Sequence, residues 1–314
     1  RCVLPEAEWP ETTLPATVYA EPCDWYSIVK AAFARNMMAG AMGVDKYRDV
    51  KGIRTHFLRF ISILKPINLY MRKIRGDSAF LPQASLLSLL ILGQDEIAWT
   101  DSEDLESCFN LFSLPNEWLV FFAFAMQVPM SIFGGDPSVF TYVALRSVPM
   151  GWINSVDIIQ NFIRRFVFDT CGVPKQLEVR KFKEPPASNA AAVCMDGFDY
   201  ITQYRITENC FDKARLLIKD FGKAKSAEMA KFVEECNKLK LPLSAGKSVL
   251  QAFCSTILGG ELHGLEGVVR HARDKGHKFM IRCFLLLSEN KVSQVQLQNI
   301  AGHFCFMASF RRPI

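Results

Sequence analysis

Residues 192–199 of this chain read Ala192-Val193-Cys194-Met195-Asp196-Gly197-Phe198-Asp199. Two short apolar runs, Ala190–Met195 and Phe198–Thr202, meet here at an Asp-Gly pair, which is typical of a tight β-hairpin. The pair places the carboxylate of Asp196 at the tip of the hairpin. Because Mg²⁺ prefers one or two carboxylates together with water and substrate phosphates, the stretch predicts a hairpin suited to metal-ion chemistry.

A single carboxylate is not sufficient for such a site, so we expect a second one on a neighbouring strand. The candidate is Asp104, in the run Ser102-Glu103-Asp104-Leu105-Glu106-Ser107-Cys108-Phe109. An Asp-Gly pair alone is more often an ordinary turn. The prediction of a metal site therefore depends on further motifs elsewhere in the chain.

The composition predicts a folded protein with a large core. The chain has 314 residues, of which 50% are hydrophobic, enough for one large or two ordinary domains. The net charge of +5 permits a polyanionic partner without requiring one. None of the ten cysteines belongs to a C-x-x-C pair, and the start of the chain carries no secretory signal pattern. We therefore expect reduced thiols in an intracellular protein, in the cytoplasm or the nucleus.

Periodicity of apolar residues predicts the main elements. Helices are expected over Asp24–Met42, residues 82–98, a segment beginning at Asn154 or Ser155, Glu208–Leu241 and Val292–Ser309. A strand is the alternative for residues 82–98. Strands are expected at Phe57–Asn68, Leu119–Phe124 and Val139–Leu145, and a loop at Lys175–Ser188. The longest uncharged run, Leu119–Gly135, is too short and too interrupted for a spanning helix, so no membrane partner is expected.

Several short motifs occur in a fixed order along the chain. They are Arg59-Phe60-Ile61 with Lys65-Pro66-Ile67-Asn68, Asp104-Leu105-Glu106-Ser107-Cys108-Phe109, Pro149-Met150-Gly151-Trp152 continuing to Gln160, Cys194-Met195-Asp196-Gly197, Leu243–Lys247, Leu258–Gly267 and Val292–Gly302. In this order they resemble the reverse transcriptase domain of retroelements, most closely the type found in long-terminal-repeat and tyrosine-recombinase retrotransposons. The third motif, which resembles the second palm motif of that family, is the most specific.

The resemblance implies an α+β fold, a right-hand polymerase with fingers, an antiparallel-sheet palm and a partial thumb. Residues 1–98 would form the N-terminal lead-in and the fingers. Residues 99–264 would form the palm, with finger segments inserted at about 119–150, and residues 265–314 the thumb and the start of the connection.

The resemblance also implies a function, template-directed nucleotidyl transfer by an RNA-directed DNA polymerase. Its partners would be an RNA or DNA template-primer, flanked by the basic stretches Lys213–Lys240 and Arg270–Arg282, and deoxynucleoside triphosphates. Asp104 and Asp196 would be the catalytic residues and would hold two Mg²⁺ (or Mn²⁺) ions in a two-metal mechanism. Nucleotide-binding roles fall on Arg59, Lys65, Phe109, Met150, Gly151, Gln160 and Lys247. Among these, Arg59 would contact the triphosphate, Lys247 its phosphates or leaving group, and Phe109 the sugar, where it would exclude a 2′-hydroxyl.

One departure from the family pattern lies in the hairpin. Gly197 stands where the family has a second Asp, and Cys194 where it has an aromatic residue. Asp199 lies two residues further along the strand, roughly 6–7 Å away, and is a poor replacement. We expect a weakened enzyme, or alternatively a catalytically inactive protein that binds nucleic acid or acts as a scaffold. We expect the turn to accept Gly197, because glycine takes positive φ at no steric cost. A second hairpin carboxylate would add negative charge that helps to hold divalent cations, so Gly197→Asp is predicted to raise activity at low Mg²⁺ with little change in stability.

Overall fold

The computed structural model describes Tyr26, Ser27, Val29 and Lys30, and residues 42–50, 53–61, 64–124, 126–206, 225–289 and 291–310. The chain divides into two compact units. The first unit is Arg1–Gly76 with Ser107–Ile159, and the second unit is Asp77–Glu106 with Gln160–Ile314. The sequence-predicted boundaries at residues 98 and 264 stay a prediction.

The elements alternate between short strands and helices. In chain order the strands of the described residues are β1 (Met42–Val50), β2 (Ile53–Ile61), β3 (Glu96–Asp104), β4 (Val128–Pro129), β5 (Phe140–Thr141), β6 (Glu178–Val179), β7 (Ala190–Cys194), β8 (Gly197–Arg205), β9 (Val249–Ala252), β10 (Cys254–Ile257), β11 (Gly260–His263) and β12 (Val268–His271). After the helical residues near Tyr26, the α-helices are α1 (Lys65–Asn68), α2 (Ala84–Leu87), α3 (Ser155–Arg165), α4 (Ala227–Lys238), α5 (Arg273–Leu287) and α6 (Gln294–Ala308). A π-helix, Phe166–Thr170, continues α3.

The first unit contains two antiparallel strand pairs, β1 with β2 and β4 with β5. Short 3-10 helices connect them, at Cys108–Leu111, Asn116–Phe122 and Met130–Phe133. Trp152 is buried in this unit, where its ring makes edge-to-face contacts with Trp118 and Phe122. Such contacts let large aromatic side chains fill a core without regular strands around them.

The second unit is built on a five-stranded sheet in the order β6-β7-β8-β3-β9. All neighbours pair antiparallel except β6 and β7, which are parallel. Residues 190–193 of β7 are buried, and three of these four are alanines. Because successive side chains of a strand point to opposite faces, both faces of the sheet are covered at β7.

Helices cover one face of this sheet. Phe198 of β8 lies 5.1 Å, centroid to centroid, from Phe232 of α4, and Phe232 lies 5.5 Å from Phe166 at the end of α3. The opposite face of the sheet is apolar at one end of the strands and acidic at the other. At one end Ala190, Ala192 and Ile201 pack against an apolar cluster that includes Leu87 and Ile257. The strand period places Cys194, Gly197, Asp199 and Asp104 on this same face at its other end. This acidic end of the sheet face carries the predicted site.

Several sequence predictions are confirmed. The structure is α+β with an antiparallel sheet, and the hairpin forms. Strand β2, Ile53–Ile61, overlaps the first five residues of the predicted strand Phe57–Asn68. Helix α3 begins at Ser155 and α6 follows a capping box formed by Ser293 and Gln296. Among the described residues, no helix has the length and apolar character that a membrane span requires.

Other predictions are wrong, and tertiary contacts accompany each difference. Residues 82–98 form only the single turn α2 before Glu96 starts β3, and Leu90 and Leu92 pack against the apolar cluster from irregular structure. The aromatic run Leu119–Phe124 is largely the 3-10 helix Asn116–Phe122, since Phe122 packs against Trp152.

Boundaries also differ from prediction. Of the predicted helix Asp24–Met42, the described residues near Tyr26 are helical and Met42 begins β1, while residues 31–41 lie outside the described residues. Lys65–Asn68, predicted as the end of a strand, is helical. Of the predicted strand Val139–Leu145 only β5 forms, and the predicted loop Lys175–Ser188 contains β6. Within the predicted helix Glu208–Leu241, the described helix is α4, and residues 208–224 lie outside the described residues.

Candidate active site

The hairpin turns one residue earlier than its Asp-Gly pair predicts. Cys194 and Gly197 are the closing pair, so the two-residue loop is Met195-Asp196. Met195 has a φ of 51°, whereas Gly197 is outside the positive-φ residues of the chain. A left-handed conformation at a non-glycine residue costs roughly 1–2 kcal/mol. The expectation that Gly197 serves the turn through positive φ is therefore wrong, and the strained residue is Met195.

Gln160 of α3 holds this strained turn. Its Nε2 donates to the carbonyl of Val193 at 2.8 Å, and its Oε1 accepts from the amide of Met195 at 2.7 Å. The side chain is 1% exposed, so water does not compete for these bonds. Gln160 thus fixes the last residues of β7 and the loop that carries Asp196. Its nucleotide-binding role stays a prediction.

Asp104 ends β3 directly opposite Gly197, the first residue of β8. The amide of Leu105 donates to the carbonyl of Asp196 at 2.7 Å, so the strand end and the hairpin loop are joined by a backbone hydrogen bond. The prediction that a second Asp lies on a strand neighbouring the hairpin is confirmed.

Gly197 makes room for the Asp104 carboxylate. A β-carbon built at position 197 would lie 2.5 Å from Asp104 Oδ1, closer than real carbon–oxygen contacts. A side chain at position 197 therefore requires that the carboxylate move. Asp104 can therefore keep its present side-chain orientation only because residue 197 has no side chain.

Lys247 reaches Asp104 from the segment after α4. The amide of Ser244 donates to the Asp104 carbonyl at 2.8 Å, and Leu105 forms a β-bridge with Leu243. These bonds bring Lys247 Nζ into an ion pair with Asp104 Oδ2. The two side chains are 54% and 21% exposed, so solvent screens the pair in part. The structure thus brings Asp104, Asp196, Gln160 and Lys247 together.

The acidic end of the sheet face is electrostatically crowded. Burial raises the pKa of the Asp199 carboxyl to about 7, and the Asp104 charge adds to this rise while a hydrogen bond with Ser102 opposes it. Burial also raises the pKa of the Cys194 thiol to about 11, helped by the charges of Asp196, Asp199 and Asp104. Cys194 is therefore a neutral thiol among three carboxyl groups.

The carboxylate oxygens of the site are the kind of donor that a hard cation prefers, but they are not arranged around a common metal position. Asp104 and Asp196 offer carboxylate oxygens, which Mg²⁺ and Mn²⁺ prefer. Within the described part of the chain, however, no three His, Cys, Asp or Glu side chains converge on one metal position. Lys247 occupies one Asp104 oxygen. The residues thus fit the predicted Mg²⁺ or Mn²⁺ in the type of their donor atoms alone, and the ions stay a prediction.

The remaining predicted residues belong to the first unit. The backbone of Arg59 lies in β2 and that of Lys65 in α1, Phe109 is half-buried, and Met150 is 36% exposed. Gly151 has a φ of 98°, which favours glycine.

Asn68 clamps the turn that contains Gly151. Its Nδ2 donates to the Gly151 carbonyl and its Oδ1 accepts from the Ile153 amide, both at 2.9 Å. Two motifs quoted separately from the sequence are therefore joined in the first unit. Their nucleotide-binding roles stay predictions.

Two buried acids behind the site were missed from the sequence. Glu103 is ion-paired with Lys225 and accepts from Ser248 Oγ at 2.7 Å. Asp101 accepts from the amides of Ser226 at 3.1 Å and Gln251 at 2.9 Å. Both side chains point away from Asp104, toward α4, and they fix β3 against α4 and β9. The alternation of acids at positions 101, 103 and 104 carried a weak signal for this, because a strand sends neighbours to opposite faces.

The predicted basic flanks are only partly described. Residues 213–223 lie outside the described residues. Lys238 pairs with Glu234 and Glu235, Arg270 with Glu261, and Lys278 with Asp274.

Comparison with known proteins shows the fold. No protein-family model and no curated protein matches the chain. The foamy viral protease-reverse transcriptase dRH in complex with double-stranded DNA has a TM-score of 0.54 at 13% identity, covering 96% of this chain and 43% of that one. The foamy viral protease-reverse transcriptase in complex with an RNA/DNA hybrid has a TM-score of 0.49 at 14% identity, covering 94% and 32%. This chain therefore spans less than half the length of these proteins. At this identity the first likeness shows the fold alone, which is that of a reverse-transcriptase-like polymerase.

Proposed function

We propose that this chain carries out template-directed nucleotidyl transfer as the RNA-directed DNA polymerase of a retrotransposon, of the long-terminal-repeat or tyrosine-recombinase type. The supporting observation is the pairing of the Asp104 strand end with the Asp196 hairpin loop through the Leu105 amide. Two carboxylates on adjacent strand ends suit a reaction that depends mainly on positioning and charge. Divalent cations, when bound, would activate the primer hydroxyl and neutralise the triphosphate.

The residues of the chain have separate tasks in this proposal. Asp104 and Asp196 supply the negative charge that attracts Mg²⁺ or Mn²⁺. Gln160 keeps Asp196 in place by bonding the backbone of Val193 and Met195, the residues that lead into it. Lys247, once released from Asp104, is a mobile cation beside the site and suits the phosphates of a deoxynucleoside triphosphate.

A nucleic-acid duplex is the proposed partner. The similar foamy viral protein was solved in complex with double-stranded DNA, and a DNA primer annealed to a DNA template is such a duplex. The sequence resemblance assigns Arg59, Lys65, Phe109, Met150 and Gly151 to the incoming nucleotide. We place the reaction inside the cell, in the cytoplasm or the nucleus.

A second candidate function is favoured by one observation. Asp104 is already paired with Lys247, and the hairpin lacks a carboxylate at Gly197. A protein that binds template-primer without chemistry needs neither free carboxylates nor metal. A non-catalytic binding or scaffold protein would therefore have the same fold, but it would bind the duplex without extending the primer.

Two assays on the same duplex, poly-rA annealed to oligo-dT, distinguish the two functions. The first measures primer extension with Mg²⁺ or Mn²⁺, and the second measures binding of the duplex. The polymerase function predicts extension by the parent and loss of extension in Asp104→Asn and Asp196→Asn, with binding of the duplex retained. Duplex binding without extension at any concentration of either metal would support the scaffold function. Absence of both binding and extension would contradict both functions.

A further inference from the structure

An exposed aromatic ring projects from the loop between β6 and β7. Phe182 is 81% exposed, and its φ of 61° is left-handed. A bulky side chain in this conformation costs free energy, and the exposed ring recovers little of it by packing. Strain of this kind persists only when the surroundings hold the backbone in place, and it is concentrated at binding sites.

The neighbours of Phe182 hold the backbone on both sides. Lys183 Nζ donates to the carbonyls of Lys175 at 2.7 Å, Glu178 at 3.3 Å and Gln176 at 3.4 Å. Burial lowers the pKa of this ammonium, which is consistent with a structural role. On the other side, the amide of Lys181 donates to the carbonyl of Phe80 at 3.3 Å. The ring is therefore presented to solvent from an anchored position.

Cations and a second ring surround Phe182. The Phe80 ring lies edge-on to it, with centroids 6.5 Å apart and an interplanar angle of 89°. The guanidinium of Arg180 lies 5.0 Å from the Phe80 centroid, and Lys181 Nζ lies 5.4 Å from the Phe182 centroid. The arrangement is a small aromatic platform with one cation over a face of each ring, which leaves the other face of the exposed Phe182 ring for a ligand. Arg180 Nη1 also lies 3.9 Å from a Glu178 carboxylate oxygen, so Lys181 is the less compensated of the two charges.

A shallow groove runs beside this platform. It has a volume of about 620 Å³ and is bounded by Phe182, Leu177, Pro185 and Pro186, among others. Leu177, Pro185 and Pro186 give it apolar walls, and these suit the flat faces of nucleobases as well as they suit aliphatic side chains. The cations favour a nucleic acid over an apolar peptide, because an apolar peptide gains nothing from lysine and arginine beside the rings.

We propose that Phe182 is a stacking platform for an unpaired base of single-stranded RNA or DNA, with Lys181 and Arg180 beside its phosphates. Proteins that bind single strands without sequence preference combine these two elements, a base-stacking aromatic ring and adjacent cations. The groove accommodates the neighbouring nucleotide. This site uses no metal and none of the residues around Asp104, so it does not depend on the proposed polymerase chemistry.

Fluorescence anisotropy with a labelled twelve-residue oligo-rU tests the site, with the matching duplex as the second ligand. We expect Phe182→Ala to weaken single-strand binding about 5- to 20-fold and Phe182→Trp to retain it. Phe182→Leu keeps apolar bulk but loses the aromatic face, and we expect it to behave like the alanine variant. The matched control is Phe284→Ala, an aromatic residue that is 65% exposed on α5, for which we expect a change below about twofold.

Two further variants separate binding from folding. Phe182→Gly removes the ring and also the left-handed strain, so we expect an equal or higher melting temperature together with the same loss of binding. Lys181→Ala should reduce the dependence of log affinity on log salt by about 0.7, the contribution of one phosphate contact on a single strand. A loss of binding that accompanies a gain in stability is not expected of a merely structural residue.

Three outcomes would overturn the proposal. Parent-like binding by Phe182→Leu would show that apolar bulk is sufficient and would indicate a protein partner. An equal loss in Phe284→Ala would show that any exposed ring contributes. The platform shares no residue with the site at Asp104, so failure of primer extension in every variant would leave this proposal standing, and parent-like binding of oligo-rU by Phe182→Ala would overturn it without affecting the proposed polymerase.

Discussion

The carboxylate of Asp104 lies against the backbone of Gly197, in the space that a β-carbon at position 197 would occupy. Such a β-carbon would be 2.5 Å from Asp104 Oδ1. The two residues are register partners at the ends of β3 and β8. The absence of a side chain at position 197 therefore has two consequences: it removes one negative charge from the hairpin, and it lets the remaining carboxylate face Lys247.

This contact changes the expected effect of substitutions at Gly197. Gly197→Ala must displace the Asp104 side chain, which is the end of a flexible and partly exposed group, so we expect folding with a loss of about 1 kcal/mol. Gly197→Asp also brings two carboxylates together and should lower the melting temperature further without metal.

Excess Mn²⁺ should raise the melting temperature of Gly197→Asp more than that of the parent or of Gly197→Ala, because a ligand stabilises the state that binds it. Thermal melting of the three proteins with and without Mn²⁺ measures this; equal shifts in all three would contradict it.

The Lys247–Asp104 ion pair should compete with metal binding. We expect Lys247→Met to change the free energy of unfolding by less than about 1 kcal/mol, because the pair is partly exposed. We expect Mn²⁺ affinity to rise on the order of tenfold, since a unit charge a few ångströms away acts with roughly 1–4 kcal/mol. Isothermal titration with Mn²⁺ measures the change, and Lys278→Met, which breaks a surface pair with Asp274, is the control. Unchanged affinity would show that Lys247 does not occupy the cation position.

Gln160 should be important for stability independently of catalysis. Gln160→Leu leaves the Val193 carbonyl and the Met195 amide without their partner, and we expect a loss of about 1–3 kcal/mol. Its neighbour Asn161 bonds an exposed Asp77 oxygen, so Asn161→Ala should cost less than about 0.5 kcal/mol. Urea unfolding of both variants compares them. Equal losses would indicate that the hairpin does not need the Gln160 side chain.

The raised pKa of Asp199 predicts a pH dependence of stability. The pKa in the folded protein is about 7, above the ordinary value of 3.8, so the folded state binds more protons than the unfolded state between these values. The contribution of Asp199 to stability is therefore full below pH 4 and is lost as pH rises toward 7, by up to about 1.4 kcal/mol per pH unit.

Asp199→Asn should remove this slope. We expect the stability difference between the variant and the parent to grow in favour of the variant from pH 4 to pH 8, as measured by urea unfolding at each pH. Asp136→Asn is the control, because a hydrogen bond from Ser138 lowers the pKa of the exposed Asp136 and no such change is expected above pH 4. A constant difference for Asp199→Asn would mean that its carboxyl titrates normally in the folded protein.

The elements predictable from sequence are those whose signals are local. The hairpin at Asp196 follows from alternating apolar residues and a turn, and helix α3 from residues such as Ile159 and Ile163, which are fully buried. The adjacency of Asp104 and Asp196 could be expected because both follow strand-like runs, and the register of β3 with β8 confirms it.

Elements defined by distant partners were not predictable. The leucine-rich run at residues 84–92 fits a helix by propensity, but only its first turn is helical, and its later leucines pack against a cluster that includes Ile201 and Ile257, which are distant in the chain. The contact of Gly197 with Asp104 depends on the register of β8 with β3, which the sequence does not show. The turn also lies one residue earlier than the Asp-Gly pair predicts, so Met195 and not Gly197 has the positive φ. The exposed Phe182 also has no periodic signal, since its conformation is held by Lys183 across the loop.

Single-nucleotide incorporation measured across an Mg²⁺ titration tests the central claim, that Asp104 and Asp196 form the metal-binding carboxylate pair of a template-directed polymerase. The substrates are a template-primer duplex and the complementary deoxynucleoside triphosphate. We expect incorporation by the parent, half-maximal at a lower Mg²⁺ concentration in Gly197→Asp, and none when Asp104→Asn is added to either protein. Incorporation that survives Asp104→Asn, or its absence from both the parent and Gly197→Asp with Mg²⁺ and with Mn²⁺, would contradict the claim.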